Sequence, residues 1–363
     1  MTGVDRSAEA VSQRIVDASL GAVDMIAVYV GDRLGWYRSL ADDGPASAEE
    51  LAARTDTNAR YAREWLEQQA VTGMLTVDDA TPPRFTLPAG AAEVLTDSDS
   101  LLFTAPLARM FCGSAVELPA LLDAYRSGGG VSWAQLGTDA RESQADMNRP
   151  WYERALAEAL ASVPDLDALL RRPDTSIADI GCGGGWSTIA LARAYPEALL
   201  HGFDIDRASV ELTQANLGMY PDLGDRVTFT ERDAAHLPSA AYDAAFAFEC
   251  VHDMPRPVEV LTAIRHSLVP GGTLIVMDEA VGDAFAAPDD IRELDDTERL
   301  MYGFSLLVCL PDGMSSQPSV GTGTVMRPDT LRAYASDAGF DDMTVLSIEN
   351  FGFWRFYRFT APS

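Results

Sequence analysis

The chain has 363 residues, 47% of them hydrophobic, and a formal net charge of −28 at pH 7. That length implies two domains with apolar residues enough for a core in each, while the charge repels nucleic-acid phosphates and anionic lipids and argues against both as partners. No apolar run reaches the roughly 18 residues of a membrane helix, and the start, MTGVDRSAEA, is acidic and polar rather than a secretory signal. A cytoplasmic location is therefore expected. The four cysteines, Cys112, Cys182, Cys250 and Cys309, are too scattered for a CxxC pair and read as free thiols.

From the N-terminus, Ala10–Val30 alternates apolar and polar residues at helical spacing, with Ile15, Ala18, Ala22, Ile26 and Val30 along one face. Ser47 with Glu50 three residues on is a capping box that opens a helix. A second helix is predicted from about Asn58 to Thr72, and Gly73 stops it. Met74–Val77 and Arg84–Leu87 read as short strands around a polar turn. Helix–turn–helix–hairpin is a winged helix. A DNA reader of this shape carries a basic stripe. Here Arg60 and Arg63 share their helix with Glu64 and Glu67, and Asp78 and Asp79 sit in the wing. The expected use is dimerisation and one wall of a substrate pocket. The apolar face of Ala10–Val30 finds no partner inside so small a fold, so a homodimer through it is expected.

Residues 101–170 read as mostly helical. One helix is predicted over Pro106–Tyr125, broken by Ser127-Gly-Gly-Gly130, and another over Arg141–Leu160, which gathers Gln144, Met147, Asn148, Trp151 and Tyr152. The expected division is a winged-helix domain at 1–100, a helical linker with pocket helices at 101–170, and a catalytic domain at 171–363.

Residues 177–185 read Ile-Ala-Asp-Ile-Gly-Cys-Gly-Gly-Gly: an apolar strand, a glycine turn, then a helical run to Ala194. Such a unit lets backbone approach a nucleotide-like ligand at the end of a parallel strand. The dinucleotide fingerprint fails because position 186 is Trp, and a phosphate-binding P-loop fails because the chain has no lysine. What remains, D-x-G-x-G-x-G from Asp179, suits a ligand with no phosphate, an ammonium and a sulfonium. A second strand, His201–Asp206, ends in acid, and its Asp204 lies about 20 residues past the turn, where an acid can take both ribose hydroxyls. A third, Arg226–Glu231, is followed by Asp233-Ala234, placed to meet an adenine edge. Tyr242–Phe248 is a fourth strand, Pro257–Leu268 a helix, and Val269–Val276 a turn entering a fifth strand.

This order resembles the class I S-adenosylmethionine (SAM)-dependent methyltransferases over about residues 170–360. Asp179, Gly181, Gly183 and Gly185 match the first motif of that family, Asp204 the ribose position, Asp233 the adenine position, and Pro270-Gly271-Gly272 the turn before strand five. The resemblance implies an α/β fold, a Rossmann-like seven-stranded domain behind the helical winged-helix domain. It implies SAM as cofactor, held by Asp179 and the glycine loop, by Asp204, and by Asp233 with Ala234, with Phe248 and Glu249 nearby.

Of the four histidines, only His252 falls where strand four opens onto the methyl donor. An imidazole with a pKa of about 6.5 takes a proton from a hydroxyl at neutral pH. The segment Cys250-Val-His-Asp-Met254 resembles the C-H-D-W segment of plant-type small-molecule O-methyltransferases, which also carry a winged-helix dimerisation domain. The resemblance makes His252 the general base, Asp253 its neighbour in the motif, and Asp278 the supporting carboxylate. It departs at Met254, where the plant enzymes have Trp. Overall the chain is most similar to a bacterial branch of winged-helix methyltransferases. A related set binds iron through histidines at this place. Residues 283–305 hold no histidine, so no metal is expected. The segment at about 280–326 reads as a long insertion and a substrate lid.

The expected activity is methyl transfer to a small molecule, an aromatic or polyketide-like hydroxyl above all. Two alternatives come from other classes: a SAM-bound enzyme of rearrangement or cyclisation, and a SAM-sensing transcription regulator.

Overall fold

The computed structural model describes residues 5–287 and 295–362, and the chain divides into two units, residues 1–113 and 114–363. The first opens with α1 (Ala8–Arg33), whose N-terminus is capped by the Ser7 hydroxyl. After α2 (Trp36–Asp42) come α3 (Ala48–Thr55) and α4 (Ala59–Val71), then the antiparallel pair β1 (Thr76–Val77) and β2 (Phe85–Thr86), and α5 (Ala89–Thr96). The Ser47–Glu50 capping box forms as expected, with the Glu50 N–H 3.3 Å from Ser47 Oγ and the Ser47 N–H 2.8 Å from Glu50 Oε2.

Only the C-terminal half of α1 is anchored. Trp65 of α4 donates its indole N–H to the Ala27 carbonyl at 2.8 Å. A Cβ on Gly31 would stand 2.6 Å from Tyr37 Cε2, with Trp65 also in the way, so glycine permits this close approach. The N-terminal half instead leaves Val11, Ile15, Val16, Leu20 and Val23 in solvent, Ile15 being 65% and Leu20 62% exposed.

α6 (Ala105–Ala115) leads into the second unit. The single helix expected over Pro106–Tyr125 is two, because α7 (Leu118–Ser127) begins anew at Pro119, which has no N–H to continue the helix before it. The helix expected over Arg141–Leu160 begins earlier, at Trp133. α8 (Trp133–Arg154) bends where Gly137 adopts φ 78°, and α9 (Leu156–Ala161) is separate. α10 (Pro164–Leu170) follows. The division between the two units falls at residue 113, within the segment 101–170.

The sheet of the second unit contains β3 (Ser176–Ile180), β4 (Leu199–Asp204), β5 (Val227–Glu231), β6 (Tyr242–Phe248), β7 (Leu268–Glu279), β8 (Thr344–Val345) and β9 (Trp354–Thr360). Their order is β5-β4-β3-β6-β7-β9-β8, with β3 to β7 parallel and the last two antiparallel. Strand alternation splits the core into two layers. Ile177, Phe246, Phe248, Ile275 and Met277 face one, with α11 (Trp186–Ala194) and α9. Ala178, Ala245, Ala247, Leu274 and Val276 face the other, with α13 (Pro257–Ser267) and α16 (Pro328–Asp337). α12 (Arg207–Leu217) links β4 to β5.

The lid segment is not a long loop. Residues 288–294 lie outside the described residues, but α14 (Asp296–Phe304), a π turn at Ser305–Cys309 and α15 (Leu310–Ser315) make most of the rest helical. Met301 and Val308 are buried, so apolar spacing in this stretch serves packing.

Candidate active site

Parallel strands bring their carboxyl ends to one edge, and the ends of β3, β4, β6 and β7 with the turns after β3, β5 and β6 carry every expected site residue. After β3, Gly181 turns at φ 65°, and a Cβ on it would meet Cys250 at 2.7 Å. The N–H of Gly183 donates to Asp204 Oδ2 at 2.8 Å, and the N–H of Asp206 donates to Oδ1 at 2.8 Å. Gly185, at φ 80°, precedes α11. Asn216, which the sequence did not single out, donates to the Gly184 carbonyl at 2.8 Å and pins the loop to α12.

Asp179 is 1% exposed and accepts the hydroxyls of Ser187 and Thr188, both at 2.6 Å. It ties β3 to the first turn of α11. Burial pushes its carboxyl up to about 6, and burial does the same to Asp204, also to about 6. After β5, Asp233 accepts the Ala235 N–H at 2.9 Å and caps the turn that Ala234 begins.

β6 delivers two residues of different character. Phe248 is buried against Tyr152, ring centroids 5.5 Å apart. Glu249 turns back at φ 49° and is gripped on both oxygens, by the Trp354 indole N–H at 2.5 Å and by the Asn148 amide. Burial raises its carboxyl to about 7. The sequence does not single out Trp354, since nothing in a lone tryptophan announces a carboxylate partner.

His252 sits on the single turn Val251–Asp253 and is 2% exposed. Its Nδ1 lies 3.0 Å from Asp278 Oδ1 and 3.4 Å from Glu279 Oε2, both at the end of β7. Nε2 lies 3.3 Å from Asp253 Oδ1. Burial, the largest influence, disfavours the imidazolium. The carboxylates of Asp253, Asp278 and Glu279 together outweigh it and hold the ring well above its ordinary pKa. Burial in turn raises Asp253, and raises Glu279 strongly.

The edge thus holds buried carboxyls at 179, 278 and 279 and half-buried ones at 204, 249 and 253, with His252 among them. Asp179 has hydroxyl partners only, and Asp204 backbone amides. Such an excess of buried negative charge fits a ligand that brings positive charge.

A strand–glycine-turn–helix edge on a seven-stranded sheet whose last two pairings, β7–β9 and β9–β8, are antiparallel defines the class: the methyltransferase fold. Residues 177–272 match the family described as methyltransferase domain, and residues 22–97 the Rv2258c-like winged HTH domain. The chain therefore joins a winged helix-turn-helix domain to a methyltransferase domain. It is 35% identical over 132 residues to the 27-O-demethylrifamycin SV methyltransferase of Amycolatopsis mediterranei (strain S699), covering 36% of this chain and 46% of that one. The chain spans about half the length of the curated relatives it matches. In three dimensions it is similar to the mitomycin 7-O-methyltransferase MmcR, with a TM-score of 0.73, 21% identity and coverage of 97% of this chain and 98% of that one. It is also similar to human N-acetylserotonin methyltransferase in complex with SAM, with a TM-score of 0.71, 18% identity and full coverage of both chains. At these identities the likeness establishes the fold.

Proposed function

We propose that the protein transfers the methyl group of SAM to a hydroxyl of a small aromatic or polyketide-like molecule, with His252 as general base. The observation that carries this reading is the His252–Asp278 contact, placed one turn beyond β6 beside the glycine loop. A carboxylate behind Nδ1 fixes the tautomer, orients the ring and leaves Nε2 as the working atom. The names of the similar proteins support the same chemistry.

In this reading Asp179 and the loop Gly181–Gly185 hold the methionine part of the cofactor, Asp204 the ribose, and Asp233 with Ala234 the adenine. Phe248 and Glu249 bound the site. SAM supplies an already cationic leaving group, so the protein's work is alignment and proton removal. With three carboxylates around it, His252 holds its own proton tightly. Positive charge entering this edge neutralises the carboxylates and disfavours the imidazolium, so loading of the cofactor site frees Nε2 to accept a proton. The acceptor hydroxyl then loses its proton to Nε2 as its oxygen takes the methyl group.

We assign the first unit to dimerisation through the exposed face of α1. Arg60 and Arg63 are paired with Glu64 and Glu67 on α4, which removes the cations a DNA phosphate would need. Among the described residues no helix is long and apolar enough to cross a membrane. The free cysteines suit a cytoplasmic setting.

The test is to incubate the protein with methyl-labelled SAM and a panel of phenols and polyketides, following S-adenosylhomocysteine and the labelled product. Transfer to a hydroxyl is the expected result. SAM binding without S-adenosylhomocysteine on any acceptor, together with a rearranged product, would replace this reading by a non-methylating enzyme.

A further inference from the structure

Cys309 reaches the His252 cluster through an irregularity in the chain. α14 passes into one π turn, Ser305–Cys309, before α15 begins. A π turn accommodates an extra residue at the expense of hydrogen-bond geometry, and such turns concentrate at functional sites. The residue at the end of this one is a thiol, and His252, Asp253 and Thr324 surround it.

One nitrogen of His252, a carboxylate oxygen of Asp253 and Cys309 Sγ all lie within 4.8 Å of one another. The nitrogen on that side is Nε2, 3.3 Å from Asp253 Oδ1. Tetrahedral coordination with bonds of about 2.0–2.3 Å places donor atoms roughly 3.3–3.8 Å apart, so the nitrogen–oxygen pair is already at ligand spacing. Thr324 Oγ1 at this cluster is buried with no hydrogen-bond partner, and Asp253 Oδ1 has only the imidazole edge beside it. Thr324 is 1% exposed. Buried polar atoms are nearly always satisfied, so an orphan hydroxyl beside the thiol marks a place where a further atom is wanted.

The other side of the imidazole agrees. Nδ1 is 3.0 Å from Asp278 Oδ1, and a carboxylate accepting the second ring N–H is the usual support of a metal-binding histidine. We propose that His252, Asp253 and Cys309 bind one divalent transition-metal ion of the zinc class. A nitrogen, an oxygen and a sulfur donor select such an ion over magnesium or calcium. Thiolate and carboxylate together balance its two charges, and the thiol proton and the Nε2 proton of the imidazolium both leave to solvent on binding. Three protein ligands leave the fourth position open. The sequence expectation of no metal rested on the lack of a histidine in 283–305; the third donor is instead a thiol just beyond that stretch. An ion on Nε2 takes away the atom that accepts the proton, so occupancy switches off the base proposed above.

The test uses chelator-treated full-length protein titrated with Co²⁺, and its readout does not depend on methyl transfer. One ion per chain is expected, with a near-ultraviolet thiolate-to-cobalt charge-transfer band. Cys309→Ser should abolish the band, Cys182→Ser should keep it, and Asp278→Asn should keep it while weakening binding about 10–100-fold. Circular dichroism checks that each variant folds, and Cys309→Ala stands in if Cys309→Ser does not. No stoichiometric uptake by folded wild-type protein, or a band that survives loss of the thiol, overturns the proposal. Co²⁺ binding as expected in a protein that methylates nothing would leave the site standing and remove only the base.

Discussion

Asp204 receives the N–H of Gly183 at 2.8 Å, so the acid at the end of β4 holds the glycine loop after β3. The loop's shape and the proposed ribose contact rest on one carboxylate. Asp204→Ala should therefore weaken SAM by about 1.5–3 kcal/mol, the range for hydrogen bonds to a charged group, as read by isothermal calorimetry. Unchanged affinity would place the ribose elsewhere.

The acids at this edge also set a pH dependence. Asp179 and Asp204 are each raised to about 6 by burial, against about 3.9 for an unfolded Asp. A raised carboxyl stabilises the folded chain most below its unfolded pKa, and that contribution is lost as pH rises through about 6. A cationic ligand favours the ionised forms. SAM affinity should therefore rise between pH 5 and 7 while the unliganded protein loses stability over the same interval. Calorimetry near pH 6 in two buffers of different ionisation heat should show proton release on binding; proton uptake would reverse the assignment.

His252→Ala should lower kcat by about 10²–10⁴-fold, the usual contribution of a positioned base, with SAM affinity within a few-fold of wild type. Asp278→Asn should lower kcat too, since the neutral amide can offer an N–H to Nδ1 and no longer fixes the tautomer or supports the imidazolium. Near-normal kcat in His252→Ala on the true acceptor would mean that the acceptor arrives already nucleophilic.

Gly31→Ala tests the anchoring of α1. The added methyl meets Tyr37 at 2.6 Å and the Trp65 ring. Overpacking of this kind costs about 1–3 kcal/mol, measurable as a lower midpoint in urea. A neutral result would show that α1 shifts freely on α4.

The double variant Ile15→Glu, Leu20→Glu addresses assembly without disturbing that anchored half. The wild-type protein should sediment as a dimer at micromolar concentration and the variant as a monomer with unchanged helical content. A wild-type monomer at that concentration would end the dimer proposal.

Much of this protein is legible in its chain because the signals are local. Glycine spacing after an apolar run locates the β3–α11 turn, since only a short backbone can turn there. Ser47 and Glu50 announce their helix because a capping box needs only neighbours in sequence. The central sheet strands follow from short apolar runs, because parallel strands are buried on both faces, and His252 stands out because it follows strand four. The misreadings have equally local causes. Pro119 divides a helix that apolar spacing joins, and the 280–326 segment mimics a loop through its glycines and serines while its apolar residues pack.

What the tertiary structure decided concerns partners distant in sequence. The family resemblance names Glu249, but not that Trp354 and Asn148 hold it. It names His252 and Asp278, but not that Asp253 and Cys309 close on the other nitrogen. Periodicity shows an apolar face on α1, while only the packing shows which half is anchored and which is left in water. The physical reason is the same throughout. Turns, caps and periodicity act over a few residues and are written along the chain. Burial and charge depend on which strand ends meet, and that is settled only when the sheet has formed.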